Sequence, residues 1–267
     1  PDMRQRRLGT TGLYVSHLAL GTMGWGRDTD GEDAGNQLRA FLDAGGNLVD
    51  TANVYVDGES EQILGRLLGG AVARDEVIVA TKAGLRRGEE RDRDASRRHL
   101  LDALDESLKR LNTDHVDIWQ MHQWDPRTPL EETLAALDTA VASGRTRYVG
   151  ISNYSGWQTA RAATWQKAWP GRAPIIATQM EYSLLQRGIE REVVPAAQSL
   201  GVGILAWSPI GRGVLTGKYQ SGTPADSRGA SRDYGNFIRP YLDDRASRIV
   251  GSVLAAADGL GVSPLAI

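Results

Sequence analysis

The chain has 267 residues, 41% hydrophobic and 24% charged, with 31 Lys+Arg against 33 Asp+Glu and a formal net charge of -2. That balance excludes a disordered tail, a coiled coil and the basic footprint of a nucleic-acid binder, and no run approaches the ~18 apolar residues of a membrane span. Zero cysteines exclude disulfides, thiolate nucleophiles and Cys-based metal sites. The start PDMRQRRLG carries no apolar signal-peptide core, so the expected compartment is the cytoplasm.

In chain order, residues 4 to 15 (RQRRLGTTGLYV) read as a hairpin turning at Thr11-Gly12 and placed to plug the bottom of a barrel. Short apolar runs then alternate with helix-like stretches. The expected strands are 17 to 21, 47 to 51, 77 to 82, 116 to 122, 147 to 152, 175 to 181 and 203 to 208. The expected helices are 32 to 44, 59 to 69, 95 to 111, 130 to 143, 156 to 168, 189 to 200 and 244 to 259. In the third helix Leu100, Leu101, Leu104, Leu108 and Leu111 recur on one face, and Asp94 or Ser96 caps its start. Gly45, Gly144 and Gly201 stand where a helix must stop and turn into a strand.

A strictly alternating β/α chain of this length forms a doubly wound sheet or a (β/α)8 TIM barrel. No strand-to-helix turn carries GxGxxG, so the barrel is expected, as one domain over 1–267 with 1–15 as an N-terminal hairpin. The eighth strand is missing from this reading, since only seven runs occur before Ser263 and Pro264 begin another helical turn. A molecule that continues past Ile267 is therefore the expectation. Residues 220–243, polar and Gly-rich, read as a long loop over one rim.

Three neighbouring strands end in ionisable side chains: Asp50, Lys82 and His122. In a barrel these are the C-terminal strand ends, where active sites are built, and Tyr55 lies five residues beyond Asp50. Lys82 stands out because the chain has only four lysines and this one closes the apolar run VIVATK. A free phenol is too weak an acid at neutral pH, but an adjacent ammonium favours the phenolate and makes Tyr55 a usable proton donor. Asp50 would keep Lys82 charged, and His122 would donate to a substrate oxygen. Singly each residue is commonplace; jointly they suit protonation of an oxygen as a carbon is reduced. Trp119 should point to the strand face opposite His122 and pack beneath a helix. Trp25 and Trp124 follow strand ends and are candidates for the wall of an apolar substrate pocket, or for rim packing. A metal at His122 and Asp125 would lack a third and fourth ligand, so no metal is expected.

The segments GTMGWG (21 to 26), DTANVY (50 to 55), VATKAG (79 to 84), QMHQWD (120 to 125), GISNYS (150 to 155), TQMEYSLLQR (178 to 187) and WSPIGRGVLTGKY (207 to 219) resemble those of the aldo-keto reductases, in order and across nearly the whole chain. The resemblance implies a (β/α)8 barrel that binds NADPH (NADP+) without a Rossmann fold and reduces a small-molecule aldehyde or ketone. It places the catalytic tetrad on Asp50, Tyr55, Lys82 and His122. For the cofactor it implies Gly21, Thr22, Met23 and Asp50, with Ser152, Asn153 and Gln179 on the carboxamide and Trp207 stacked on the nicotinamide. Ser208, Pro209, Ile210, Gly211, Arg212 and Lys218 would hold the pyrophosphate. Two departures stand out. Val56 occupies a position where the family usually has Gly, so the loop is expected to take a different path. The segment that grips the 2′-phosphate is absent, so NADPH over NADH is an inference from the family. A competing expectation, of another class, is a cofactor-binding regulatory subunit like the potassium-channel β subunits of the same family. Substrate identity and oligomeric state are not legible.

Overall fold

The computed structural model describes residues 3–86, 88, 90–231 and 234–267. The chain divides into two compact units, Pro1–Gln179 with Glu192–Leu205, and Met180–Arg191 with Ala206–Ile267.

In the first unit β1 (Gln5–Arg7) and β2 (Tyr14–Ser16) form an antiparallel hairpin with Arg6 opposite Val15. Thr11 and Gly12 lie in its turn, which Leu8 and Leu13 close through a 2.8 Å backbone hydrogen bond. The strands that follow are β3 (Ala19–Gly21), β4 (Leu48–Asp50), β5 (Ile78–Ala83), β6 (Val116–Met121), β7 (Thr146–Ser152), β8 (Ile175–Glu181) and β9 (Gly203–Trp207). They are neighbours in sequence order, and every pair from β3 to β8 is parallel. A doubly wound sheet would reverse its order at a switch point, whereas a (β/α)8 barrel runs its strands consecutively. Among the described residues this sheet has seven strands.

The connecting helices are α1 (Gly31–Asp43), α2 (Glu59–Leu68), α3 (Arg97–Leu111), α4 (Leu130–Ala142), α5 (Gly156–Lys167) and α6 (Val193–Leu200). Two of them, α1 and α5, start on a side-chain cap that satisfies free N–H groups. Asp30 accepts from the Asp33 amide ahead of α1, and Ser155 and Gln158 form a reciprocal capping box on α5. For α3 neither expected residue caps with its side chain: Ser96 is the boundary residue, and its own amide donates to Asp94 Oδ1 at 3.0 Å. The expected helix over 189 to 200 is divided into a 3-10 turn, Gly188–Arg191, and α6. Pro195 explains the late start, because its missing N–H is harmless only in a first turn.

The central strands, β4 to β8, are covered on both faces, as a parallel sheet requires. Val49, Val79, Trp119, Met121, Val149 and Ile151 pack with helix residues such as Leu64, Leu104, Leu137 and Ala162. Trp119 is thus on the helix side, as alternation demands. On the other face Leu48, Ala80 and Ile118 cluster with Leu8 and Val15 of the hairpin. Gly9 allows this approach: at φ 58 it is left-handed, and a Cβ would stand 2.6 Å from the Gly201 carbonyl oxygen.

The second unit centres on Leu185, Val214, Leu215, Ile238, Tyr241, Val250 and Val253. Its elements include α7 (Gly235–Ile238) and α8 (Asp244–Leu260), the latter capped by Asp243. The stretch 220–243 is therefore more structured than a rim loop. It carries 3-10 turns at Arg228–Ala230 and Arg239–Tyr241 besides α7, and it buries Ile238 and Tyr241. Residues 232 and 233 of that stretch, like 1 and 2 of the hairpin segment, lie outside the described residues.

Candidate active site

Leu48, Ala80 and Ile118 fix which face the next polar residues occupy, since Asp50, Lys82 and Gln120 each follow by two. Lys82 is fully buried, and its three ammonium protons have three acceptors: Asp50 Oδ2 at 2.6 Å, the Thr51 carbonyl at 2.8 Å and the Tyr55 hydroxyl at 3.3 Å. Burial alone would lower the Lys82 pKa, but the Asp50 carboxylate and the Tyr55 oxygen outweigh it and hold the ammonium above its ordinary value. Tyr55 opens a 3-10 turn (Tyr55–Gly58) in the loop that follows β4, and its ring meets His122 edge-on at 6.0 Å. His122 is anchored by its amide to the Ala83 carbonyl at 2.8 Å. The four residues singled out in the sequence are therefore gathered in one place.

The amide and hydroxyl set joins them. Gln179 donates through Nε2 to Asp50 Oδ1 at 2.9 Å, Ser152 donates to the Gln179 carbonyl at 2.9 Å, and Asn153 donates to the His122 carbonyl at 3.0 Å. Asn153 is left-handed at φ 57, a conformation Asn tolerates better than most residues. Neutral donors and acceptors beside an ammonium suit the carboxamide of a nicotinamide ring, so this donor set fits the cofactor that the sequence implies.

Several contacts had no signature in the sequence. Ser60, in the first turn of α2, joins Thr22 (2.7 Å) and Thr51 (3.2 Å) in a buried hydroxyl network, and the Thr22 amide and hydroxyl both donate to the Asp50 carbonyl. The Thr22 hydroxyl thus serves to hold the Asp50 backbone; Gly21, its neighbour, is exposed and pairs in register with Asp50, and Met23 is half-buried. Glu61, fully buried, accepts from Thr81 Oγ1 at 2.5 Å and from Arg110 Nε at 2.8 Å, tying α2 and α3 to the strand that carries Lys82.

Two aromatic candidates separate. Trp25 is 1% exposed, donates to Gln37 Oε1 at 2.9 Å and belongs to the helix-side core, so its indole has no face left for a substrate. Trp124 is half-buried and stands edge-on to Tyr154 (5.2 Å) and Trp157 (5.4 Å), and Trp157 is 57% exposed. Burial pushes the Tyr154 phenol up, with the nearby Asp125 carboxylate adding to it, so this ring stays neutral. Asp125 itself is held below the usual carboxylate range, although burial opposes this, by the Ala95 and Arg127 amides, the Thr128 hydroxyl and Arg91.

The second unit carries the remaining sequence candidates. Ser208 is left-handed at φ 52, and after Pro209 and the exposed Ile210 come three successive left-handed residues, Gly211, Arg212 and Gly213. Two amides of the run are used within the turn, Gly211 on the Ser208 carbonyl at 2.9 Å and Gly213 on the Ile210 carbonyl at 3.1 Å. The Arg212 guanidinium, however, is spent within its own unit, on both oxygens of Glu181 (2.7 and 2.6 Å) and on the Phe237 carbonyl. Trp207 stacks at 6.2 Å on Phe237, and Lys218 lies over the Tyr219 ring at 5.3 Å.

A consecutive β/α strand order whose C-terminal ends gather Asp, Tyr, Lys and His defines a class of carbonyl-handling oxidoreductases. The chain belongs to the Aldo/keto reductase family, whose model matches residues 17–266. It is similar to the uncharacterized oxidoreductase YrpG of Bacillus subtilis, 41% identical over 228 residues (81% of this chain, 69% of the relative). A probable voltage-gated potassium channel subunit beta of Oryza sativa is 37% identical over 265 residues, 98% of this chain and 80% of that one. The L-glyceraldehyde 3-phosphate reductase of Escherichia coli K12 is 39% identical over 234 residues, 85% of this chain and 67% of the relative. No helix among the described residues is long and apolar enough to cross a membrane.

Proposed function

We propose that the protein reduces an aldehyde or ketone to an alcohol with NADPH, Tyr55 acting as general acid. The observation that carries this reading is the Lys82 ammonium shared between Asp50 Oδ2 and the Tyr55 hydroxyl. When bound, NADPH supplies the hydride that reaches the carbonyl carbon. Tyr55 delivers a proton to the carbonyl oxygen, and the ammonium 3.3 Å away stabilises the phenolate left behind. Asp50 keeps that ammonium charged in a buried setting. His122 donates to the same substrate oxygen and fixes its orientation. Ser152, Asn153 and Gln179 would hold the carboxamide, Trp207 would stack on the ring, and the loop from Ser208 to Gly213 would hold the pyrophosphate, with Lys218 supplying charge. Trp124 would face an apolar substituent of the substrate. The proposed location is the cytoplasm, with which a cysteine-free chain is compatible.

The test is steady-state NADPH oxidation with 4-nitrobenzaldehyde, repeated with NADH and with a phosphorylated aldehyde, which the name of the Escherichia coli relative puts on the panel. Turnover above the protein-free rate is expected, with NADPH preferred. The rice relative's name raises a second reading, a cofactor-binding subunit with little turnover. Tight NADPH binding without turnover of any tested carbonyl would favour it.

A further inference from the structure

The family resemblance puts Arg212 on the pyrophosphate, yet its contacts describe a different task. An arginine presents its N–H groups in a rigid fork, and here Nε and Nη2 take the two Glu181 oxygens while Nη1 takes the Phe237 carbonyl. The guanidinium carbon lies 3.7 Å from the Phe237 ring centroid, 4.9 Å from Tyr241 and 5.6 Å from Trp207. Tyr241 closes the cluster by donating to Glu181 Oε1 at 2.9 Å. Both charged side chains are 13% exposed. A pair so enclosed is tolerable only when its hydrogen bonds are nearly complete, as they are here.

The backbone supplies the second observation. Arg212 is left-handed at φ 57 between two left-handed glycines, a conformation that carries a steric penalty for any residue with a Cβ. Glycine would fit there at no such cost, so the arginine side chain must return something, and what it returns is attachment. Through it the run 211–213 is tied to Glu181 at the end of β8 and to Phe237 of α7, against which Trp207 stacks.

We propose that Arg212, anchored by Glu181, is a positioning residue: it fixes the left-handed run and the Trp207–Phe237 stack for a bound dinucleotide, and does not meet the phosphates with its own charge. This rests on the reading that the chain binds a nicotinamide dinucleotide. The two roles differ in sign. If Arg212 were a phosphate ligand restrained by Glu181, releasing it with Glu181→Gln would tighten binding. If Glu181 is its anchor, the same change weakens binding.

The experiment is calorimetric titration of wild type, Glu181→Gln, Arg212→Lys, Arg212→Met and the Glu181→Gln/Arg212→Met double variant with NADPH, and in parallel with 2′,5′-ADP, which lacks the nicotinamide and the pyrophosphate. Each single variant is expected to weaken NADPH by about ten-fold, the scale of one lost charged hydrogen-bond partner, and the double variant by no more. Affinity for 2′,5′-ADP should stay within about two-fold, which a merely misfolded unit would not allow. Unchanged or tighter NADPH binding in Glu181→Gln overturns the proposal, as does full affinity in Arg212→Lys, where charge survives without the fork. Equal loss of both ligands overturns it in favour of a general structural role. A wild-type chain that binds no NADPH overturns the dinucleotide reading itself and this inference with it, whereas normal binding across all variants overturns this inference alone.

Discussion

Two of the enclosed ion pairs, one in each unit, are built to opposite ends. In the first, Lys82 meets Asp50 at 2.6 Å with the lysine side chain 1% exposed; in the second, Arg212 meets Glu181 at 2.6 Å. An ammonium is a point charge with three donors, and Lys82 gives only one to the carboxylate, leaving one for a carbonyl and one for the Tyr55 hydroxyl. A guanidinium is a planar fork, and Arg212 gives it entirely to fixed partners in its own unit. The lesson is that the donor left over separates chemistry from architecture. On the proposed reading Lys82 has one aimed at the hydroxyl that delivers the proton, whereas Arg212 holds backbone and rings in place.

The largest expected effect breaks the first pair's purpose without touching the pair. Tyr55→Phe removes the hydroxyl and leaves Lys82 its two other acceptors, so kcat should fall by about 10² to 10⁴-fold, the usual worth of a general acid. NADPH affinity should stay within a few-fold. Stopped-flow measurement of NADPH oxidation checks both, and retention of more than a tenth of kcat would remove Tyr55 from the acid role.

Breaking the pair itself comes next. Lys82→Met leaves the Asp50 carboxylate with Gln179 as its remaining side-chain partner, and loss of one member of a buried pair costs about 3 to 5 kcal/mol. The pH dependence carries a sign. Because the folded Lys82 pKa is raised, the pair's contribution is complete below the ordinary lysine value near ~10.4 and is lost as pH rises through the higher folded value. Wild-type unfolding free energy should therefore decline in strong alkali, and the Lys82→Met curve should lack that part of the decline. Parallel curves for the two proteins would show that the pair contributes nothing of the kind.

Much of the first pair could be seen in the sequence, and almost nothing of the second. Period-two alternation fixed which face Lys82, Asp50 and Trp119 take, and apolar runs ending in charged residues marked where the strands stop. Leu100, Leu104, Leu108 and Leu111 are buried along one face of α3, as their spacing required. Glu181 and Arg212, by contrast, are 31 residues apart with no periodic relation, and only the folded chain brings them together. Phe237 and Tyr241 sit in a stretch whose polar, Gly-rich composition hid two aromatic anchors. Trp25 is a related case: position after a strand end leaves pocket wall and rim packing both open, because it says nothing about which side of the sheet an indole enters. The Ser60, Thr22 and Thr51 network is illegible because hydroxyls carry no pattern at all.

A smaller effect tests the second region at its aromatic edge. Trp207→Ala removes the ring that stacks on Phe237 at 6.2 Å, and NADPH binding should weaken by about 0.5 to 1.5 kcal/mol, the scale of one aromatic pair. The pH dependence of kcat should not move, because Lys82, Asp50 and Tyr55 are untouched. Wild-type dissociation constants in a calorimetric titration would take Trp207 out of the cofactor site.

The smallest effect sharpens the comparison by asking what holds Tyr55 opposite Lys82. After Tyr55 the backbone is left-handed at Val56 (φ 48), Asp57 (φ 52) and Gly58 (φ 93). For an L-residue that conformation costs roughly 1 to 2 kcal/mol, and a β-branched Val is a worse occupant than Asp. Glycine carries no such penalty but loses about 0.5 to 1 kcal/mol more chain entropy on folding. Val56→Gly should therefore stabilise the protein by up to about 1 kcal/mol, against the usual direction for a change to glycine, and Asp57→Gly by less. Gly58→Ala should destabilise, since a Cβ there would stand 2.8 Å from Arg110 Cδ at a φ of 93. Urea midpoints at constant m-value decide all three. A lower midpoint for Val56→Gly would mean that the valine side chain contributes more to this turn than its backbone costs. Unchanged kcat alongside a raised midpoint would show that Tyr55 is held by Lys82 and the Ser60 network, with the strained residue merely tolerated between them.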